Sequence, residues 1–233
     1  MIMWNERTSA LIGKDGTDIL ASSRVAVFGI GGVGSYAVEA LARAGIGALD
    51  LIDSDIYMES NLNRQLYATL STLGMYKTEA AKAHIHDINP DCIVNTISKR
   101  FTPENMTEFD FSGYDYVIDA IDSTDSKAYL AKKCVDENKK IISSMGAGNR
   151  KNPLCFKVGD IYSTFNDPLA RIMRGKYKKL GIKKLKVVYS TEIPERVEGV
   201  ISSLSCVTAT AGLILAGEVI RDLLSREVKN AET

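Results

Sequence analysis

Eight residues between positions 29 and 122 have types and spacing that suit a phosphate-bearing ligand. Gly29, Gly31, Gly32 and Gly34 form a G-x-G-G-x-G run. Glycine without a Cβ lets the backbone turn tightly and approach a phosphate. A helix that follows directs free N–H groups and its positive dipole end at that phosphate. Asp53 stands 22 residues after Gly31, and a carboxylate at that distance reaches ribose hydroxyls. These features alone suit a nicotinamide dinucleotide equally well. Arg64 and Lys77 add a forked and a point-like cation, and Asp122 adds a carboxylate after an apolar run. That trio suits a triphosphate with Mg²⁺, which a dinucleotide does not require. Singly, Arg64 reads as a surface ion-pair residue, Lys77 as a solvated helix residue and Asp122 as a helix cap.

The elements that must hold these residues alternate. Arg24–Gly29, Leu49–Asp53, Ile93–Ser98, Tyr114–Ala120 and Lys140–Met145 read as short buried strands. Val33–Ala44, ended by Gly45, and Met75–Ile88, stopped by Asn89-Pro90, read as helices, as does Ser126–Glu137. Strands alternating with helices require parallel pairing, so the chain is α/β, a doubly wound and mostly parallel sheet. The pattern weakens after Gly148. Leu154–Ile161 and Leu185–Thr191 suggest strands, Asp167-Pro168 opens a helix toward Leu180, and Cys206–Leu224 is a last long apolar helix. The expected organisation is a nucleotide-binding core over residues 1–150 and an α+β extension of the same domain over 151–233.

Composition narrows the class. The 233 residues carry 29 Lys+Arg and 29 Asp+Glu, with 45% hydrophobic and 25% charged residues. This excludes a disordered chain, a collagen and a coiled coil. The zero net charge hides an uneven distribution. Arg171, Arg174, Lys176, Lys178, Lys179, Lys183, Lys184 and Lys186 fall within sixteen residues that hold no acid, with Tyr177 among them. Such a segment attracts a nucleic-acid backbone by counterion release, or else forms a solvated face. Cys92, Cys134, Cys155 and Cys206 are scattered and form no C-x-x-C pair, which fits a reducing, cytoplasmic setting and predicts no structural zinc. Cys155 and Cys206 read as small buried hydrophobes. His84 and His86 read as solvated. The N-terminus lacks the apolar stretch of a signal peptide, and Val200–Gly217 reads as a buried helix, so no membrane segment is expected.

The order G-x-G-G-V-G-S, D-x-D, N-L-N-R-Q, a helix-start Lys77 and D-A-I-D-S resembles the ubiquitin-activating superfamily of adenylating enzymes over residues 5–150. The resemblance implies a Rossmann-like fold, ATP and Mg²⁺, and adenylation of a carboxylate. It places Gly32 at the phosphate loop, with Asp53 and Asp55 on the nucleotide. Asn61, Arg64 and Lys77 would contact the phosphates, Asp122 would bind Mg²⁺, and Gln65 and Ser123 belong to the same nucleotide-binding set. Arg7 resembles an arginine that a second protomer donates, which implies a homodimer.

Sulfur-carrier activators in that superfamily carry two C-x-x-C zinc pairs, and this chain has neither. Its S-M-G-A-G at 144–148, D-P-L-A at 167–170, V-Y-S-T-E at 188–192 and V-T-A-T-A-G at 207–212 instead resemble the tRNA threonylcarbamoyladenosine dehydratases. That resemblance implies ATP-driven cyclisation of the threonylcarbamoyl group on adenosine 37 of tRNA, with the basic segment as a tRNA contact and a sulfur-relay protein as a further partner. Activation of a ubiquitin-like sulfur carrier is the alternative. A dehydrogenase and a non-catalytic nucleotide-binding scaffold are the remaining rivals.

Overall fold

The computed structural model describes residues 4–225. Residues 1–3 of the expected core and 226–233 of the expected extension lie outside the described residues. Seven strands form one sheet: β1 (Arg24–Phe28), β2 (Ala48–Ile52), β3 (Ile93–Ile97), β4 (Tyr116–Asp119), β5 (Ile141–Ser144), β6 (Phe156–Asp160) and β7 (Lys186–Ser190). Their order is β3-β2-β1-β4-β5-β7-β6, and only β6 runs antiparallel, against β7. Among the described residues six helices flank the sheet: α1 (Glu6–Ser22), α2 (Gly34–Ala44), α3 (Lys77–His86), α4 (Thr124–Asp136), α5 (Pro168–Lys179) and α6 (Ser205–Leu224).

Helices cover both faces, which explains the mostly apolar strands. Val25 and Val27 of β1 face a core shared with α2, α3 and α6. Ala26 and Phe28 face a second core built with α4, α5, Phe101, Phe109 and Phe111. α2 ends as its sequence suggests, with Gly45 left-handed at φ +91°. The chain steps outward from β1 to β3, then returns to place β4 on the other side of β1. This reversal opens a crevice beyond the C-terminal ends of β1 and β4, where α/β sheets bind ligands.

Several expectations need correction. The sequence reading has no counterpart of α1. Gly13 breaks this helix at φ +74° and its buried stripe is thin, so helical periodicity is weak there. The run Val200–Gly217 is not one helix, because α6 starts at Ser205 and Val200 and Ile201 are exposed. Among the described residues no helix is long and apolar enough to cross a membrane. Cys155 is half-buried and Cys206 exposed, so neither is a buried hydrophobe. The inward stripe of α6 runs Val207, Ala211, Leu215, Val219 and Leu223, and Cys206 lies off it. His84 is less free than expected, with Nε2 3.0 Å from Glu39 and its ring 5.0 Å from Tyr67.

Candidate active site

The crevice is a cleft of about 420 Å³. Gly29, Gly31, Gly32, Asp53, Asp55, Asn61, Arg64, Gln65, Lys77 and Asp122 all line it. Residues spread over 94 positions thus meet because β1, β2 and β4 deliver their C-terminal ends to one place.

Sterics shape the glycine loop. Gly29 has φ +90°, and a Cβ there would lie 2.6 Å from the Ala120 carbonyl oxygen. A Cβ on Gly34 would lie 1.8 Å from the Gly29 carbonyl oxygen. Gly34 therefore closes the turn and does not line the cleft. Gly31 faces open space, with Gln65 Nε2 the nearest atom at 3.9 Å from its Cβ position. That is room a ligand can use.

Asp53 joins the loop to β2. Its Oδ2 accepts a hydrogen bond from the Ile30 N–H at 2.7 Å, and its Oδ1 accepts from the Asp55 N–H at 2.9 Å. Each oxygen retains a lone pair for a hydroxyl donor. Burial pushes the Asp53 carboxyl above its ordinary value, against the lowering effect of Lys77 and the two backbone donors. Lys77 is placed by a small antiparallel bridge, Ile56 to Tyr76, and by its own N–H donating to the Asp55 carbonyl at 3.0 Å. Its side chain is 7% exposed and its Nζ lies 2.9 Å from Asp55 and 3.9 Å from Asp53. Arg64 Nη1 donates to the Ser60 carbonyl and Asn63 Oδ1, and among the described residues the guanidinium forms no ion pair. Asn61 Oδ1 accepts from the Met58 N–H at 3.0 Å, which tightens the turn carrying Arg64 and Gln65. Gln65 is buried, and among the described residues its Oε1 has no hydrogen-bond partner. A buried unpartnered amide oxygen costs free energy until a ligand or water satisfies it.

Three helix N-termini border the cleft through Val33, Ser126 and Thr208, those of α2, α4 and α6. None has a side-chain cap, so their first-turn N–H groups lack that partner. Ser123 is the N-cap residue of α4, makes no cap bond and lies off the cleft lining. Arg7 is exposed on α1 and is not among the residues lining this cleft.

A Mg²⁺ shared with a nucleotide fits this donor set. Asp122 is exposed at the cleft and, among the described residues, forms no ion pair. No cluster of three His, Cys, Asp or Glu could cage a metal among the described residues. One carboxylate suffices for Mg²⁺ when phosphates and water supply the other oxygens.

The structure also brings in residues that motif reading passes over. Lys99, Arg100 and Phe101 follow β3 and line the cleft. Ala147, Gly148, Ile201, Ser203 and Thr208 close it from the second half of the chain. Beneath the floor, Lys127 and Asp119 form an ion pair at 2.9 Å with both side chains 0% exposed. Lys127 Nζ also donates to Ser143 Oγ at 3.1 Å and the Ser144 carbonyl at 2.9 Å. Asp119 Oδ1 accepts from the Ile121 N–H at 3.1 Å, which shapes the turn that presents Asp122.

A family model, the ThiF family, matches residues 5–233. The chain belongs to the ThiF family. The tRNA threonylcarbamoyladenosine dehydratase of Bacillus subtilis (strain 168) is 43% identical to this ThiF-family chain over 237 residues, covering 94% of it and 93% of the relative. The dehydratase of Escherichia coli (strain K12) is 33% identical over 261 residues, covering 97% and 96%. The crystal structure of the E. coli tRNA N6-threonylcarbamoyladenosine dehydratase TcdA in complex with ATP matches with a TM-score of 0.91 and 35% identity, covering 97% of this chain and 95% of that one. The adenylyltransferase and sulfurtransferase UBA4 of Eremothecium gossypii is 36% identical over 136 residues, which cover 58% of this chain and 30% of that protein.

The basic segment divides in this ThiF-family fold. Asp167 caps α5, accepting from the Ala170 N–H at 3.0 Å. Tyr177 is fully buried and cannot stack on a base. Lys176 ion-pairs with Asp125 at 2.5 Å, Arg174 donates to Thr164, and Lys186 is held by Asp222 and Glu218 within β7. Arg171, Lys178, Lys179, Lys183 and Lys184 are exposed.

Proposed function

We propose that this chain is an ATP-dependent tRNA threonylcarbamoyladenosine dehydratase that cyclises the threonylcarbamoyl group at position 37. The observation that carries this is the meeting of glycine loop, Asp53, Arg64, Lys77 and Asp122 in one cleft, in a chain similar over nearly its full length to enzymes of that name. The similarity to the sulfur-carrier activator UBA4 covers 58% of the chain, which favours the dehydratase reading.

In this reading residues 1–150 form the adenylation core and 151–233 extend it. Asp53 accepts the ribose hydroxyls. The N–H groups near Gly31 and Gly32, with Asn61, Arg64, Gln65 and Lys77, surround the phosphates. Lys77 exchanges part of its contact with Asp55 for a phosphate oxygen. Asp122 would hold Mg²⁺, which neutralises phosphate charge when bound. An oxygen of the threonine carboxylate attacks the α-phosphorus, the bond to the bridging oxygen breaks, and pyrophosphate leaves. The acid is ionised at neutral pH, so no general base is required. The main barrier is the approach of two anions, which Arg64 and Lys77 lower by neutralising the charge moving onto pyrophosphate. A nitrogen or oxygen of the same side chain then attacks the acyl carbon, AMP departs with the carboxylate oxygen, a carbamoyl N–H proton passes to solvent, and a five-membered ring remains. Because the attack is intramolecular, it requires no enzyme thiol.

The reading further places the enzyme in the cytoplasm as a homodimer, with Arg7 of a second copy reaching the leaving group and a sulfur-relay protein as accessory partner. The exposed Arg7 on α1 is compatible with that reach. The exposed members of the basic segment, Arg171, Lys178, Lys179, Lys183 and Lys184, are the available tRNA contacts in it, and Arg174, Lys176 and Lys186 are the weaker ones. The test is incubation with ATP, Mg²⁺ and tRNA bearing threonylcarbamoyladenosine, followed by nucleoside mass analysis. Loss of one water is expected, and Arg64→Ala or Asp122→Ala should abolish it. An unchanged nucleoside mass with wild-type protein would overturn the assignment.

A further inference from the structure

We infer that Lys99 and Arg100 form an RNA-backbone contact at the mouth of the cleft, next to the nucleotide undergoing reaction. The inference rests on the tRNA reading above. Both residues leave the C-terminal end of β3 and line the same cleft as Asp53 and Lys77. Their setting differs from that of the buried residues, because Arg100 is exposed and the Lys99 side chain is 52% exposed. Strand order places them on the far side of Asp53, since β3 lies outside β2. A nucleotide seated between the glycine loop and Asp53 leaves these two cations at the entrance.

Their charge is available. The Arg100 guanidinium forms no ion pair among the described residues, and Lys99 pairs only with the half-exposed Glu108, a partner that a phosphate can displace. Lys99 also borders a second hollow of about 370 Å³, whose lining includes Arg24, Asp50, Glu108, Asp110 and Tyr114. An RNA that inserts one modified nucleoside brings its flanking phosphates to this mouth, whatever its sequence. Lys183 and Lys184 are placed differently. They precede Lys186, which pairs with Ile142 near the start of β5, at the end of the parallel strands opposite the cleft.

The experiment compares wild type with Lys99→Ala/Arg100→Ala. It measures affinity for unmodified tRNA transcript between about 50 and 200 mM salt, and affinity for ATP by calorimetry. Removing two phosphate contacts should weaken tRNA binding about tenfold and flatten the log–log salt slope by roughly 1.4 to 1.8, with ATP affinity within about twofold of wild type. A variant whose tRNA affinity and slope match wild type overturns the inference while leaving the dehydratase reading intact. Loss of ATP affinity with tRNA binding unchanged overturns it in favour of a nucleotide contact. Wild-type protein that binds no tRNA overturns both.

Discussion

Lys127→Met tests whether the buried pair beneath the cleft is held for position. Methionine replaces the unbranched stem of the lysine, one atom shorter, but leaves the Asp119 carboxylate at 0% exposure without a cation. The Ile121 N–H and the Ser143 hydroxyl remain as its donors. Breaking a fully buried pair on one side costs about 3–5 kcal/mol. For a chain of this size that lowers Tm by roughly 6–20 °C, at about 2–4 °C per kcal/mol. Removing both charges with Asp119→Asn/Lys127→Met should return more than half of the loss, because the introduced amide oxygen can still accept from the Ile121 N–H. Thermal unfolding followed by circular dichroism gives both numbers. The same samples report on position. The double variant should fold yet need several-fold more Mg²⁺ for half-maximal ATP binding, because Lys127 no longer ties the Asp122 turn to the Ser144 carbonyl. A single variant within about 2 °C of wild type, or a double variant as unstable as the single, would refute the reasoning.

Three further outcomes are expected. Gly31→Ala should keep Tm within about 2 °C of wild type but weaken ATP binding at least tenfold, whereas Gly34→Ala should lower Tm, since its Cβ would meet the Gly29 carbonyl oxygen at 1.8 Å. Calorimetry and thermal unfolding separate the two. Burial raises the Asp53 carboxyl, so ATP affinity should decline with acidification at pH values above the ordinary aspartate pKa, and Asp53→Asn should flatten that dependence in a pH series of binding isotherms. Burial alone would raise Asp222, but hydrogen bonds from Lys186 and Tyr116 outweigh it and hold the carboxyl below its ordinary value. A depressed carboxyl contributes stability above its unfolded pKa and loses it as pH falls through the folded one. Asp222→Ala should therefore be less stable than wild type near pH 7, with the gap in Tm closing toward pH 3.

What was legible in the sequence and what was not divide along physical lines. β1, β2, β4 and β5 read clearly because strands buried on both faces are mostly apolar, with Asp50, Asp119, Ser143 and Ser144 as the buried polar exceptions, and Gly45 marked the end of α2 because glycine adopts a left-handed backbone freely. Asp53, Lys77 and Asp122 stand beside the ends of β2, α3 and β4, whose types are local information, whereas Arg64 lies in the connection between β2 and α3 and stands out only within the N-L-N-R-Q run. The antiparallel placement of β6 depends on pairing across 26 or more residues, which no periodicity encodes. Lys127 lies on the first turns of a helix and reads as a surface residue. Only the packing of α4 over β4 and β5 buries it against Asp119.

The same distinction bears on how tRNA would be recognised under the proposed function. Eight cations in sixteen residues are conspicuous in sequence, but the fold binds three of them to neighbouring groups, buries the tyrosine among them and carries Lys183 and Lys184 away from the cleft. Lys99 and Arg100 are inconspicuous, two cations between a strand and a turn. Yet the order β3-β2-β1 brings them to the lining of the cleft, where we infer that they meet the RNA backbone. For a polyanionic substrate that must deliver one nucleoside into a 420 Å³ cleft, distance from its mouth matters more than charge density along the chain. Exposed charges beyond a Debye length of about 8 Å contribute little to orienting the reacting group. Deleting the segment's exposed lysines should therefore lower overall tRNA affinity while leaving single-turnover cyclisation at saturating tRNA unchanged. Deleting Lys99 and Arg100 should slow that step as well. Equal single-turnover rates for the two sets of variants would show that proximity to the mouth has no bearing on orientation.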